Sequence, residues 1–236
     1  MIRALVFDLD DTLFPEREFV LSGFEAVDSW LRVEKAITGF AEKALAEFSS
    51  GARGDIFNRA LSGLGIADDP CLVRQMVEVY RDHYPHISLF PDADWALDHF
   101  APAVRLGLLT DGYLKVQQRK VAALGIADRF EAIVYSDRFG REGWKPSPLP
   151  YKEIAKELCC EPFECVYVGD NSAKDFVTAR QLGWLTIRVR RSGTEWFAVS
   201  LDGAHEADKE IKCLLELGAM FQHSGHKTSP LHGANR

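Results

Sequence analysis

The stretch "LVFDLDDTLF", Leu5 to Phe14, sets an apolar run directly against a cluster of acids. Residues Ala4 to Asp8 read as a buried β-strand, and the carboxylates Asp8, Asp10 and Asp11 crowd its carboxyl end. Carboxylates so close raise one another's pKa unless a cation holds them ionised. The stretch therefore predicts the first strand of a sheet whose carboxyl end is built to meet positive charge.

Outward from this strand the pattern changes twice. After Phe14, apolar residues recur at helical spacing for about seventy residues, at Phe19, Phe24, Val27, Trp30 and Leu31 and again over 37–48, 56–64 and 72–80. No strand signal interrupts them, so 15–89 reads as an all-helical insertion. From Phe90 onward, short apolar runs at 104–109, 132–135, 165–168 and 185–189 alternate with helical patterns at 113–124, 148–158 and 172–182. Strands alternating with helices indicate a parallel sheet covered on both faces. Ser147 and Pro148 mark a helix start, as N-cap and first helical residue. A last helix is expected over 206–217, followed by a polar, mobile tail at 223–236, whose His223, His226 and His232 are not read as a metal site.

The chain has 236 residues, 47% hydrophobic, with a formal charge of -7. That length suits a core domain, 1–14 with 90–222, carrying the insertion. The acidic balance argues against nucleic-acid or anionic-membrane partners. Cys71, Cys159, Cys160, Cys165 and Cys213 form no CxxC pair. They read as reduced packing residues of a cytoplasmic protein, and no apolar run approaches the ~20 residues of a membrane span.

In an open parallel sheet, ligands sit beyond the carboxyl ends of the strands. Residues just past each apolar run are Asp8, Asp10 and Thr12; Thr110, Asp111 and Gly112; Lys145 after a loop; and Gly169, Asp170 and Asp175. Singly, each has an ordinary explanation: Asp-Gly suits turns, and a lone Lys suits solvent. Together they make a complementary set. Carboxylates at two strand ends suit Mg²⁺, while Thr110, the N–H groups after it and Lys145 suit phosphoryl oxygens.

DxDxT at Asp8 to Thr12, the apolar-apolar-Thr at Leu108 to Thr110, Lys145, and GDxxxxD at Gly169 to Asp175 resemble, in order, the four motifs of the haloacid dehalogenase superfamily. That resemblance implies a Rossmann-like, doubly wound α/β core with a helical cap at 15–89. It implies Asp8 as nucleophile and Asp10 as general acid and base. Thr110, Asp111, Gly112 and Lys145 would bind the phosphate. Asp8, the Asp10 carbonyl, Asp170 and Asp175 would make the Mg²⁺ site. An acid two residues after the nucleophile separates phosphatases from dehalogenases, whose halide leaves without a proton. Asp111 stands where Asn is common in the superfamily, and only its N–H is expected to face the phosphate.

The expected activity is hydrolysis of a small phosphate ester, a nucleotide or sugar phosphate, by a monomer or homodimer. A phosphomutase and a non-catalytic phosphate-binding regulator are the alternatives. Arg17, Arg53, Arg59, Phe14, Phe19 and Phe24 are candidate specificity residues of the cap.

Overall fold

A computed structural model describes residues 1–221; the histidine-bearing tail lies outside the described residues. Six strands, β1 (Ala4–Phe7), β2 (Arg105–Thr110), β3 (Ala132–Tyr135), β4 (Cys165–Gly169), β5 (Leu185–Val189) and β6 (Lys209–Ile211), form one sheet in the order β3-β2-β1-β4-β5-β6. Every pairing is parallel. The chain winds outward from β1 in one direction and then, from β4, in the other. The junction of β1 and β4 is thus the topological switch point where such sheets bind ligands.

Strand alternation builds a core on each face. Leu5 and Phe7 of β1, with Val166 and Val168 of β4, pack on one side with Ala96 and Leu97 of helix α5 (Pro91–Phe100) and Val121 of α6 (Leu114–Leu124). Ala4, Val6 and Tyr167 face the other side, against Tyr151 and Ile154 of α7 (Pro148–Glu157) and Phe176 of α8 (Phe176–Gln181). Each fully buried Leu, Val or Phe contributes about 1.5–3 kcal/mol, so an Asp at Val6 or Val168 would break the layer.

The segment after Phe14 forms α1 (Glu16–Lys35), α2 (Phe40–Ser49), α3 (Ile56–Gly63) and α4 (Pro70–Asp82). They enclose their own apolar cluster of Phe24, Val27, Leu31, Phe40, Leu61 and Met76. Asp69 caps α4, its carboxylate accepting from the N–H groups of Cys71 and Leu72, with Pro70 in the first turn. Phe90 N–H donates to the Leu13 carbonyl at 2.9 Å, so the outgoing and returning chains are tied where the insertion joins the sheet.

Three local expectations change. The single helix over 206–217 is instead β6 followed by α9 (Glu216–Phe221). An edge strand with Lys209 and Glu210 exposed and Ile211 buried mimics an amphipathic helix turn, and Asp208 pins it by accepting from the N–H and hydroxyl of Thr186. The helix expected from Ser172 begins at Phe176, because Asn171 and Asp175 spend their hydrogen bonds on the loop before it. Helix α7 does begin at Pro148, but Ser147 makes no side-chain capping bond.

Candidate active site

The switch point brings the ends of β1 and β4 side by side, and with them Asp8, Asp170 and Asp175. All three are buried, with carboxylate oxygens within 4.8 Å of one another. Burial raises the pKa of Asp8 to about 7, Lys145 partly opposing this and Asp175 adding to it. Burial likewise drives Asp170 well above the carboxylate range, reinforced by Asp175 and Asp8. Such a group of hard oxygen donors, short of positive charge, fits a divalent cation.

Lys145 supplies what cation there is among these acids. Its Nζ donates to Asp8 Oδ1 at 2.6 Å, Asp175 Oδ1 at 2.7 Å and the Tyr167 hydroxyl at 2.8 Å. Its side chain is 0% exposed. Burial alone would lower its pKa, but Asp175 and Asp8 overcome this and hold it well above the ordinary lysine value. The ammonium's three protons are all committed to protein groups. Asp175 is committed too, since its Oδ2 accepts from Asn171 N–H. Gly169 makes that possible: a Cβ there would lie 2.5 Å from Asp175 Oδ2.

The three acids of the opening stretch part company. Asp8 joins the buried cluster. Asp10 is held by helix α6, with Lys120 Nζ at 2.6 Å from Oδ1 and Gln117 Nε2 at 2.8 Å from Oδ2. Asp11, at φ 51°, turns away and accepts from Glu16 N–H at 2.9 Å, where it caps the entry to α1. Thr12 is buried, and its hydroxyl has no hydrogen-bond partner.

On the other side of β1, Thr110 ends β2 with its hydroxyl 2.5 Å from Gln117 Nε2. Gly112, at φ 135°, lies in a region that side chains rarely adopt, and a Cβ there would also meet Gln117 at 3.4 Å. Asp111 borders the polar pocket, and its carboxylate, 4% exposed, is spent on protein donors. Ser136 Oγ and Lys145 N–H donate to Oδ1, and Lys174 Nζ lies 3.0 Å from Oδ2. Burial acts to raise its pKa, but Lys145 and Lys174 prevail and lower it. Its charge is thus matched by Lys174, which could not be read as a site residue because one Lys in "NSAKD" looks solvated.

Gln117 and Lys120 were also missed, yet left a trace. Helix α6 buries Val116, Gln117, Lys120 and Val121, one helical face on which two polar residues stand at apolar positions. Polar groups there need dedicated partners, and Asp10 is that partner.

Asp8, Asp10, Asp111, Asp170 and Lys174 line a polar pocket of about 90 Å³. Asp11 and Glu16 also border a second cavity of about 610 Å³ under the insertion, walled by Phe24, Phe48, Phe57 and Tyr80, with Arg17 and Arg53 at its side. Arg59 is not in it and pairs with Asp55. Phe14 and Phe19 are core residues beneath Lys120.

Residues 5–189 match the family model for haloacid dehalogenase-like hydrolases. A glyceraldehyde 3-phosphate phosphatase of Methanopyrus kandleri is 31% identical, over 81% of this chain and 85% of that one. An (S)-2-haloacid dehalogenase of Xanthobacter autotrophicus is 27% identical, over 85% and 80%. In fold, the crystal structure of a HAD phosphatase from Thermococcus onnurineus superposes with a TM-score of 0.62 at 22% identity, covering 94% of this chain and 98% of that one. The family match begins in β1 and ends with β5, taking in every strand end described above, and the chain belongs to the haloacid dehalogenase-like hydrolases.

Proposed function

We propose that the protein is a phosphatase that hydrolyses a small phosphate ester in two steps through an aspartyl-phosphate on Asp8. The carrying observation is the pairing in one pocket of a buried, Lys145-held Asp8 with a separately held Asp10. A halide leaves without protonation, whereas an alkoxide does not, so Asp10 favours phosphate esters over haloacids. Relatives named as phosphatases support the same reading.

In the first step an Asp8 oxygen attacks phosphorus and the ester P–O bond breaks, with Asp10 giving its proton to the departing alcohol. In the second, Asp10 takes a proton from water, whose oxygen attacks phosphorus and releases Asp8 and inorganic phosphate. Thr110 and the N–H groups of Asp111 and Gly112 receive phosphoryl oxygens, and Lys145 and Lys174 offset their charge. Asp8 and Asp170, with the Asp10 carbonyl, would hold Mg²⁺, which when bound would add charge neutralisation at the phosphoryl group. Asp175, committed to Lys145 and Asn171, orients the set. Residues 15–89 act as a cap over the site, and the ester's alcohol part enters the larger cavity. The five free thiols suit the reducing cytoplasm.

The test uses p-nitrophenyl phosphate, whose leaving group needs little acid assistance. Asp8→Asn should abolish turnover and leave no phosphoenzyme. Asp10→Asn should give a nitrophenol burst approaching one equivalent, slow turnover and a species about 80 Da heavier by intact mass. A fully active Asp8→Asn enzyme would overturn the covalent mechanism.

A further inference from the structure

We infer that Lys120 and Gln117 are positioning residues that hold the Asp10 carboxylate in the orientation needed for proton transfer. The inference rests on the two-step phosphatase reading and assigns to helix α6 a part in it.

The geometry is specific. Lys120 and Gln117 lie three residues apart on the buried face of α6 and grip different oxygens of Asp10, at 2.6 and 2.8 Å. Two donors on opposite oxygens fix the plane of a carboxylate that would otherwise rotate. Each oxygen keeps a further lone pair, which can carry the proton given to the departing alcohol and later taken from water, and the 20% exposed side chain borders the polar pocket. The same Gln117 nitrogen, with two protons to share, also lies 2.5 Å from the Thr110 hydroxyl and 3.1 Å from the Asp111 carbonyl. One amide thus sets the proton-transfer group in register with the strand end that receives the phosphoryl oxygens.

Lys120 cannot itself be a substrate contact in this arrangement. Its side chain is 4% exposed, and its ammonium lies 4.5 Å from the Phe19 ring centroid and 5.7 Å from that of Phe14. Those rings help enclose it. Burying an ammonium is costly unless it is paired, so a lysine kept there must act through Asp10, its nearest charge. Glu16, at 4.0 Å, is the other carboxylate in reach, and it is half-buried.

The experiment is a double-mutant cycle read on two esters. Wild-type enzyme is first shown to turn over p-nitrophenyl phosphate and an alkyl phosphate; failure there removes the phosphatase reading and this inference with it. In active enzyme, Lys120→Met keeps the apolar stem against Phe14 and Phe19. It should lower kcat for the alkyl ester by about 10- to 100-fold, with a smaller loss in the nitrophenol burst. Gln117→Glu, which places a carboxylate against Asp10 at almost unchanged volume, should do the same, so the result does not hang on one variant's folding. On an Asp10→Asn background Lys120→Met should change kcat by less than about threefold, since groups acting through one residue are not additive, whereas Gln117→Glu should keep only the part of its loss that runs through Thr110. A Lys120→Met loss that persists in full on that background would overturn the inference, as would unchanged alkyl-ester turnover in both single variants.

Discussion

The two cavities that meet at Asp11 and Glu16 are built on opposite principles. The polar pocket is about 90 Å³, and its side chains stand at strand ends locked by ion pairs such as Lys145 with Asp8 and Asp175. The cavity under the insertion is about 610 Å³, walled by aromatic rings and by arginines, of which Arg53 makes a half-exposed ion pair. A site of the first kind holds reacting groups to within fractions of an ångström, which proton and phosphoryl transfer require. One of the second kind accepts shape and tolerates change. The difference teaches that rate and substrate choice reside in separate parts of the chain, and substitutions should separate them.

The largest effect is expected at Lys145. Lys145→Ala should lower kcat by at least about 100- to 1000-fold, and it leaves Asp8 and Asp175 buried and facing each other with no cation between them. Lys145→Arg should rescue little, because a planar fork does not reproduce three donations from one fully enclosed ammonium. Turnover of p-nitrophenyl phosphate checks both, and near-normal activity in the Ala variant would remove the contrast between a rigid pocket and a permissive one.

Metal should come next. Phosphatase activity should vanish with EDTA and return with Mg²⁺ or Mn²⁺, and Mg²⁺ should raise Tm even without substrate. Asp8 titrates near 7 in the folded chain against an ordinary value near 4. The folded state therefore binds that proton more tightly, and metal-free stability falls as pH rises through about 7. Mg²⁺ competes with the proton, so its Tm gain should be larger at pH 8 than at pH 5.5. Equal gains at both would place the ion away from Asp8.

The same contrast governs how much was legible beforehand. Strand ends are readable because an apolar run stops abruptly at a chemically odd residue, as Phe7 gives way to Asp8 and Val168 to Gly169 and Asp170. The parallel sheet and the helical insertion followed from periodicity alone. Residues that reach the site sideways left weaker traces. Lys120, Gln117 and Lys174 sit inside helical or loop segments where Lys and Gln are ordinary, and only three-dimensional packing shows that they face carboxylates. Phe14 and Phe19 failed as cavity candidates for the converse reason. An aromatic beside a catalytic motif can serve the core, and a sequence does not say on which side of a helix the ligand lies.

The smallest effect, and the most direct measure of the second region, is expected at Arg53. Its guanidinium lies 4.4 Å from the Phe48 ring centroid and reaches Glu195 of the sheet-bearing part at 3.7 Å, so it borders the large cavity and bridges insertion to core. Both partners of that bridge are about half exposed, and such a pair contributes roughly 0–1 kcal/mol. Arg53→Ala should therefore leave Tm nearly unchanged. What it removes is a cation over an aromatic wall, an element suited to holding a flat ring or an anionic group on the alcohol side of the ester. KM for a nucleoside monophosphate should rise about three- to tenfold with kcat little changed, which is the signature of lost uniform binding. Glyceraldehyde 3-phosphate, which carries neither a flat ring nor a second anionic group for that cation, should show no shift. Equal KM shifts for both esters would mean that Arg53 acts on closure of the insertion and not on the bound alcohol. A fall in kcat with KM unchanged would show that the two regions are not separable after all.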